Sequence, residues 1–183
     1  MRTEIDIAAL LRAEPMRWHL LGVVAELRLP DAWIAAGFVR NAVWDALHNR
    51  KPQPLDSDVD VIWFDPDCMD HARDREIEEQ LQALAPGFVW SVKNQARMHL
   101  RNGDPGYRSA TDAMCHWPET ATAIAARSVS DACCDIAAPL GTDDLLNLIV
   151  RPTRRFVQER RGIFDKRVHD KQWLTRWPML RLA

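Results

Sequence analysis

The four cysteines of this 183-residue chain, at positions 68, 115, 133 and 134, form no CxxC pair, and its six histidines show no ligand spacing. A zinc centre drawn from Cys115, His116, Cys133 and Cys134 matches no standard ligand pattern. Neighbours on a strand point to opposite faces, so a disulfide between Cys133 and Cys134 has poor geometry. Reduced core thiols are the expectation. No apolar run approaches the roughly 20 residues that a membrane-spanning helix needs. The opening MRTEIDIAALLRAEP lacks the basic-then-apolar order of a signal peptide, so a cytoplasmic protein is expected. Internal repeats and low-complexity tracts are missing too. What is present is ordinary for a globular chain: 47% hydrophobic and 27% charged residues, and enough length for one domain with a real core.

Net charge is −2 but unevenly spread. From Arg151 to Ala183 ten basic residues stand against three acidic ones, +7, which leaves fourteen basic against 23 acidic, −9, in the first 150. A basic tail suits phosphates or nucleic acid. The plainer reading, preferred here, is a helical segment whose charges face water or the acidic body.

Local patterning predicts alternating helices and strands. Thr3 is an N-cap for a helix through about Ala13, with Asp6 in the capping-box position. Pro15 suits the first turn of a second helix, Met16 to Leu29. A brief buried strand over 32–36 ends at Gly37. Phe38, Val39, Ala42, Val43, Ala46 and Leu47 then form one apolar helical stripe ending near His48. Asp58 to Phe64, β-branched and aromatic between two prolines, is the clearest strand. A helix over 70–85, a strand over 88–92 and helices over 94–100 and 109–117 follow. The alanine-rich run 119–127 reads as helix and 133–137 as strand, and Thr142 reads as the cap of a helix over 143–150. Beyond Pro152 the chain reads as helices. Three or four strands among helices give an α/β (α+β) fold with a small mixed sheet. We expect one domain over 1–183, with helical extensions at about 1–30 and 151–183.

Chemistry concentrates in residues 35–65, AAGFVRNAVWDALHNRKPQPLDSDVDVIWFD. A glycine at a helix entrance lets a phosphate approach backbone N–H groups, where the helix dipole favours negative charge. Asp58 and Asp60, two apart on a strand, project from one side about 7 Å apart along it. Such a pair suits a hard, oxygen-seeking cation such as magnesium, which also bridges to phosphates. The competing structural reading is a solvated strand end with carboxylates capping turns. Asp56 has the same parity and is either a peripheral ligand or a loop residue.

These residues resemble a known family. Gly37-Phe38-Val39-Arg40-Asn41 followed by Asp58-Val59-Asp60-Val61 resembles the head of the DNA polymerase beta-like nucleotidyltransferase superfamily. CCA-adding enzymes carry a similar helix start before an Asp-x-Asp strand. A bacterial nucleotidyltransferase-like family is closer and spans most of the chain. Its marks here are VRNAVWD (39–45), DVDVIWFD (58–65), WSVKNQARMH (90–99), WPETATA (117–123), APLGTDDLL (138–146) and KQW…RWP (171–178). Several blocks in order are far more specific than a lone Asp-x-Asp.

The resemblance implies a nucleotidyltransferase fold, with a small mixed sheet flanked by helices. It also implies Mg²⁺- or Mn²⁺-dependent transfer of a nucleotidyl group from a nucleoside triphosphate (NTP) to an acceptor hydroxyl. The acceptor would be a small molecule, a protein or an RNA end, with no membrane involved. A catalytically inactive nucleotide-binding or interaction protein on the same fold is the alternative. Gly37 would sit against the triphosphate, and Asp58 and Asp60 would hold the metals. The family's third carboxylate is assigned to Asp135, on an apolar–acid–apolar strand, with Asp131 in reserve. Where the superfamily has Gly-Gly or Gly-Ser, this chain has Gly37-Phe38, so phosphate contact there falls to backbone N–H groups. Arg40 would contact a phosphate or pair with an acid, and Asn41 would serve backbone hydrogen bonds. Lys93, before a helix, would meet the triphosphate as a point charge. The tryptophans are read mainly as core.

Overall fold

The computed structural model describes residues 3–51, 53–55 and 57–183. Helix α1 (Glu4–Arg12) opens on the expected capping box: the Thr3 hydroxyl accepts from the Asp6 N–H, and the Asp6 carboxylate accepts from the Thr3 N–H. Proline starts α2 (Pro15–Glu26), followed by β1 (Trp33–Ala35), α3 (Gly37–Leu47), β2 (Val59–Trp63) and α4 (His71–Leu84). Next come β3 (Trp90–Asn94), α5 (Gln95–Asn102), α6 (Ala110–Met114), β4 (Ala125–Ser130) and β5 (Cys133–Ala137). The chain ends with α7 (Asp143–Leu146), β6 (Ile149–Val150), α8 (Arg161–Asp170), α9 (Trp173–Arg176) and β7 (Arg181–Leu182).

Five strands form a mixed sheet in the order β3-β2-β1-β4-β5. β2 and β3 run parallel, and the other neighbours antiparallel. Side chains alternate across the pleat. Ile34, Val59, Val61, Trp63 and Val92 pack into the larger core, which draws on residues from Ile7 in α1 to Leu180. Trp33, Ala35, Ile62 and Ala125 face the other way, against Ala110 and Met114 of α6. Asp60 shares the parity of Ile62 and stands on this second face.

The alanine-rich run is a strand, not a helix. Only Thr120–Thr122 make a short 3-10 turn, after which the chain extends as β4. Ala125 and Ala126 pair with Ala35 and Ile34 of β1 on one side, and with Ala137 and Ile136 of β5 on the other. Both alanines are fully or almost fully buried. Ladder pairing on both sides, between layers that need small side chains, overrides the modest helix preference of alanine. The helix expected over 143–150 likewise stops at Leu146. Leu148 takes φ 59°, and the next residues pair with β7.

The C-terminal segment is locked onto α3 by aromatic packing. Trp44 meets Trp177 edge-on at 5.0 Å and Trp173 at 5.9 Å. The Trp177 indole N–H donates to Asp45 at 2.8 Å. The basic tail spends its charge on the acidic body: Arg151 pairs with Asp144, Arg155 with Asp104 and Arg167 with Glu119. Among the described residues no helix is long and apolar enough to cross a membrane. Truncating Trp173, which is 2% exposed, to alanine is expected to cost about 3–5 kcal/mol from lost burial and an unfilled cavity. Urea unfolding of Trp173→Ala measures it, and a loss below about 1 kcal/mol would contradict this packing.

Candidate active site

Three elements deliver the site. β1 ends at Ala35, a tight turn follows, and α3 begins at once. The turn places Ala36 at φ 52° and ψ −116°, a sparsely populated conformation for a residue with a Cβ. Its carbonyl accepts from the N–H groups of Val39 and Arg40, and its own N–H donates to Ile124 at 2.9 Å. The strained residue is therefore Ala36, while Gly37 is not among the positive-φ residues. A Cβ added at Gly37 would meet only ordinary contacts, at 3.5 Å or more from Arg40, Ser57 and Asn41. The first N–H groups of a helix have no intrahelical acceptor, so those of Gly37 and Phe38 are available as donors. The Phe38 ring is buried in the core under the Arg17 guanidinium, so any ligand contact at this residue is through its backbone.

β2 brings the carboxylates. Asp58 is exposed just before the strand, and Asp60 lies within it, partly buried, opposite Ala35 of β1 and Ser91 of β3. Burial, and then the neighbouring Asp58 charge, raise the Asp60 carboxyl to about 6. Arg40, Lys171 and Arg167 pull the other way. Two like charges are thus held together against their preference, in a field of surrounding cations. Asp60 lines a cavity of about 320 Å³ that also exposes Ser91, Lys93, Trp117 and Arg167. Asp56 lies outside the described residues.

The other expected residues divide. Arg40 is nearly buried, stacked between Trp44 at 5.0 Å and Trp173 at 4.8 Å, and donates to Asn41 Oδ1 at 2.8 Å. Desolvation lowers its guanidinium to about 10, partly countered by Glu119. Asn41 therefore serves the Arg40 side chain rather than the backbone. Lys93 lines the Asp60 cavity, but its ammonium donates to Glu78 at 3.2 Å and to the Val92 carbonyl at 2.8 Å.

Asp135 is not brought to the pair. It has the right parity, yet β5 lies three strands from β2, about 14 Å at roughly 4.8 Å per step. Its carboxylate is paired across strands with Arg127 at 3.0 Å. Asp131 sits at the β4–β5 turn, farther out. Among the described residues no three His, Cys, Asp or Glu side chains converge as a metal cluster. The thiols are free, and burial raises those of Cys115 and Cys134.

Three residues to which the sequence reading gave no role complete the surroundings. Glu119 is 0% exposed, accepts from the Thr122 hydroxyl at 2.9 Å and takes Arg167 Nε at 2.7 Å. That pair fixes Arg167, from α8, at the mouth of the Asp60 cavity, and Lys171 adds charge just beyond the same helix. The sequence signals were the family blocks WPETATA, which contains Glu119, and KQW…RWP, which contains Lys171; Arg167 lies in neither.

Comparison with known proteins identifies the fold and the family. A family model described as nucleotidyltransferase matches residues 22–182. A solved structure described as an NMR structure that reveals a CCA-adding enzyme head domain is 32% identical, with TM-score 0.87 over 100% of this chain and 97% of that one. A CCA-adding enzyme in complex with CTP (17% identity, TM-score 0.58) and a tRNA-processing enzyme complex (15%, 0.51) share the fold. This chain covers 42% and 43% of those longer chains. No curated protein matches. With the family model spanning most of its length, and a fold and strand pair of the expected kind, the chain belongs to the nucleotidyltransferase family, transferases of phosphorus-containing groups.

Proposed function

We propose that the protein transfers a nucleotidyl group from a nucleoside triphosphate to an acceptor hydroxyl, using Mg²⁺ or Mn²⁺ held by Asp58 and Asp60. One observation carries the reading: a half-buried carboxylate, raised to about 6 beside a second carboxylate, in a cavity entered by a helix N-terminus. Keeping both groups ionised near neutral pH is unfavourable without a cation between them, and hard carboxylate oxygens are the donor set such cations take. When bound, the metal would supply charge neutralisation for the phosphates.

The chain's own groups do the positioning. The Gly37 and Phe38 N–H groups and the α3 dipole receive the triphosphate. Arg167, held by Glu119, meets its charge from the opposite element, and Arg40 supports the turn from within the aromatic stack. The acceptor oxygen bonds to the α-phosphorus, the bond from that phosphorus to the β-phosphate oxygen breaks, and pyrophosphate leaves. Trp117, half-buried at the cavity rim, offers a face for stacking a base. A catalytically inactive nucleotide-binding protein is the second reading. It draws on Ala35 and Ser91, rather than a third acid, flanking Asp60. Nucleotide binding without turnover of labelled NTP in the presence of acceptor pools would favour it.

Two measurements test the first reading. Because the protein itself leaves room for a Cβ at residue 37, Gly37→Ala should fold at least as well as the parent, gaining up to about 1 kcal/mol. It should nonetheless bind NTP–Mg²⁺ about tenfold or more weakly, as 1.4 kcal/mol of lost contact implies. Equal affinity in calorimetry would remove the α3 turn from the site.

The second measurement concerns the pH dependence of folding. The Asp60 carboxyl is raised from 3.8 to about 6 in the folded state. Between these values the native state holds a proton that the unfolded state releases, so stability falls as pH rises through that window and the penalty is full above it. In metal-free protein, Asp60→Asn should raise Tm above pH 6, by at most the equivalent of about 3 kcal/mol, and change little near pH 4. The variant should also lose metal-dependent NTP binding. Destabilisation at pH 8, or unchanged metal-dependent binding, would overturn the assignment.

A further inference from the structure

Cations outnumber their partners at one edge of the sheet. β3 is the edge strand, and beyond it α4 and α5 enclose a second cavity of about 430 Å³ lined by His71, Arg75, Lys93, Arg97, Met98 and Arg101, among others. Two of these charges are cancelled locally: buried Arg97 pairs with Asp74, and Lys93 pairs with Glu78. Arg97 Nε also donates to His71 Nδ1 at 3.1 Å. In a neutral imidazole that leaves the proton on Nε2, making it a second donor. Arg97 Nη1 is buried with no hydrogen-bond partner among the described residues. Arg75 and Arg101 are exposed and hold no acidic partner among the described residues. The lining therefore carries two uncompensated guanidinium groups, which favour an anion and suit the oxygens of a phosphate.

The position of this cavity relates it to the reaction. Lys93 and Met98 line both this cavity and the one containing Asp60. On the other side of Asp60 lie β1 and the α3 turn, where the donor triphosphate is placed. Attacking and leaving oxygens stand roughly in line across the transferred phosphorus. A leaving group directed toward α3 therefore gives the β3 side to the acceptor.

We propose that the edge cavity binds a phosphate group carried by the acceptor, so that the hydroxyl receiving the nucleotidyl group belongs to a phosphorylated molecule. The inference rests on the donor reading above. In the transfer the acceptor hydroxyl oxygen bonds to the α-phosphorus, pyrophosphate departs and the hydroxyl proton is released to water. The acceptor's own phosphate is held unchanged by Arg75 and Arg101 at the rim.

Calorimetric titration with inorganic phosphate reads this cavity without turnover. The wild-type chain should bind phosphate, and Arg75→Ala/Arg101→Ala should bind it about tenfold or more weakly, with unchanged Tm and unchanged NTP–Mg²⁺ affinity. Asp60→Asn should leave phosphate binding intact. Absence of binding to the wild type, equal binding to the double variant, or loss of binding in Asp60→Asn would each overturn the proposal. Failure of the donor reading shows separately, as NTP binding that ignores Mg²⁺. Competition identifies the source. Displacement of phosphate by ribose 5-phosphate marks a small acceptor. Displacement by a short single-stranded RNA, fading steeply with salt, marks a nucleic acid backbone. Displacement by neither contradicts an acceptor phosphate.

Discussion

The burial of one carboxylate, Asp60, beside a second, Asp58, is the constraint on which the candidate site depends. Register holds Asp60 between Ala35 and Ser91, so the strand cannot turn its side chain away without flipping every core residue of β2 to the wrong face. The core face of that strand, with Val59, Val61 and Trp63 almost wholly buried, stabilises far more than the placement of one acid costs. Burying each of those side chains contributes about 1.5–3 kcal/mol, against a raised carboxyl equivalent to at most about 3 kcal/mol. The fold can afford a charged pair that local chemistry disfavours.

The cations around the pair come from distant parts of the chain, and two of them, Arg40 and Arg167, are held by something other than Asp60. Arg40 is clamped by Trp44 and Trp173 and by Asn41. Arg167 is held by the buried Glu119. These separate anchors keep positive charge near the pair without neutralising it by direct contact, so both carboxylates stay available to a ligand. The aromatic lock between α3 and the C-terminal segment has a role here as well as in stability. It fixes the helix whose N-cap residue, Ala36, lines the cavity that Arg167 of α8 also lines.

Local features of the sequence were read well, and pairings between distant segments were not. The Thr3–Asp6 capping box, the proline start of α2, the stripe of α3 and the strand carrying Asp60 depend on residues within a few positions of each other, and the structure has them, although Asp58, expected on that strand, stands just before it. The strand that carries Asp135 is legible too, and β5 is there. Its distance from Asp60 is not legible, because nothing within 133–137 says that β5 pairs outside β4. The alanine-rich run was misread for a related reason: its strand state is imposed by β1, about 90 residues earlier in the chain, and by β5. Glu119 and Arg167, 48 residues apart, carry no local mark of meeting. The resemblance to nucleotidyltransferases supplied the fold and family that periodicity lacked, because several ordered blocks are more specific than any single segment.

The proposed metal and nucleotide site consists of Asp58 and Asp60 together with the α3 turn, without Asp135. Paramagnetic line broadening by Mn²⁺ in the presence of a nucleoside triphosphate tests it most directly, because it maps the ion without requiring an acceptor. Amide signals of Gly37, Phe38 and residues 58–60 should broaden first, while those of residues 133–137 persist. Broadening centred on Asp135, or spread evenly over the acidic surface, would contradict it.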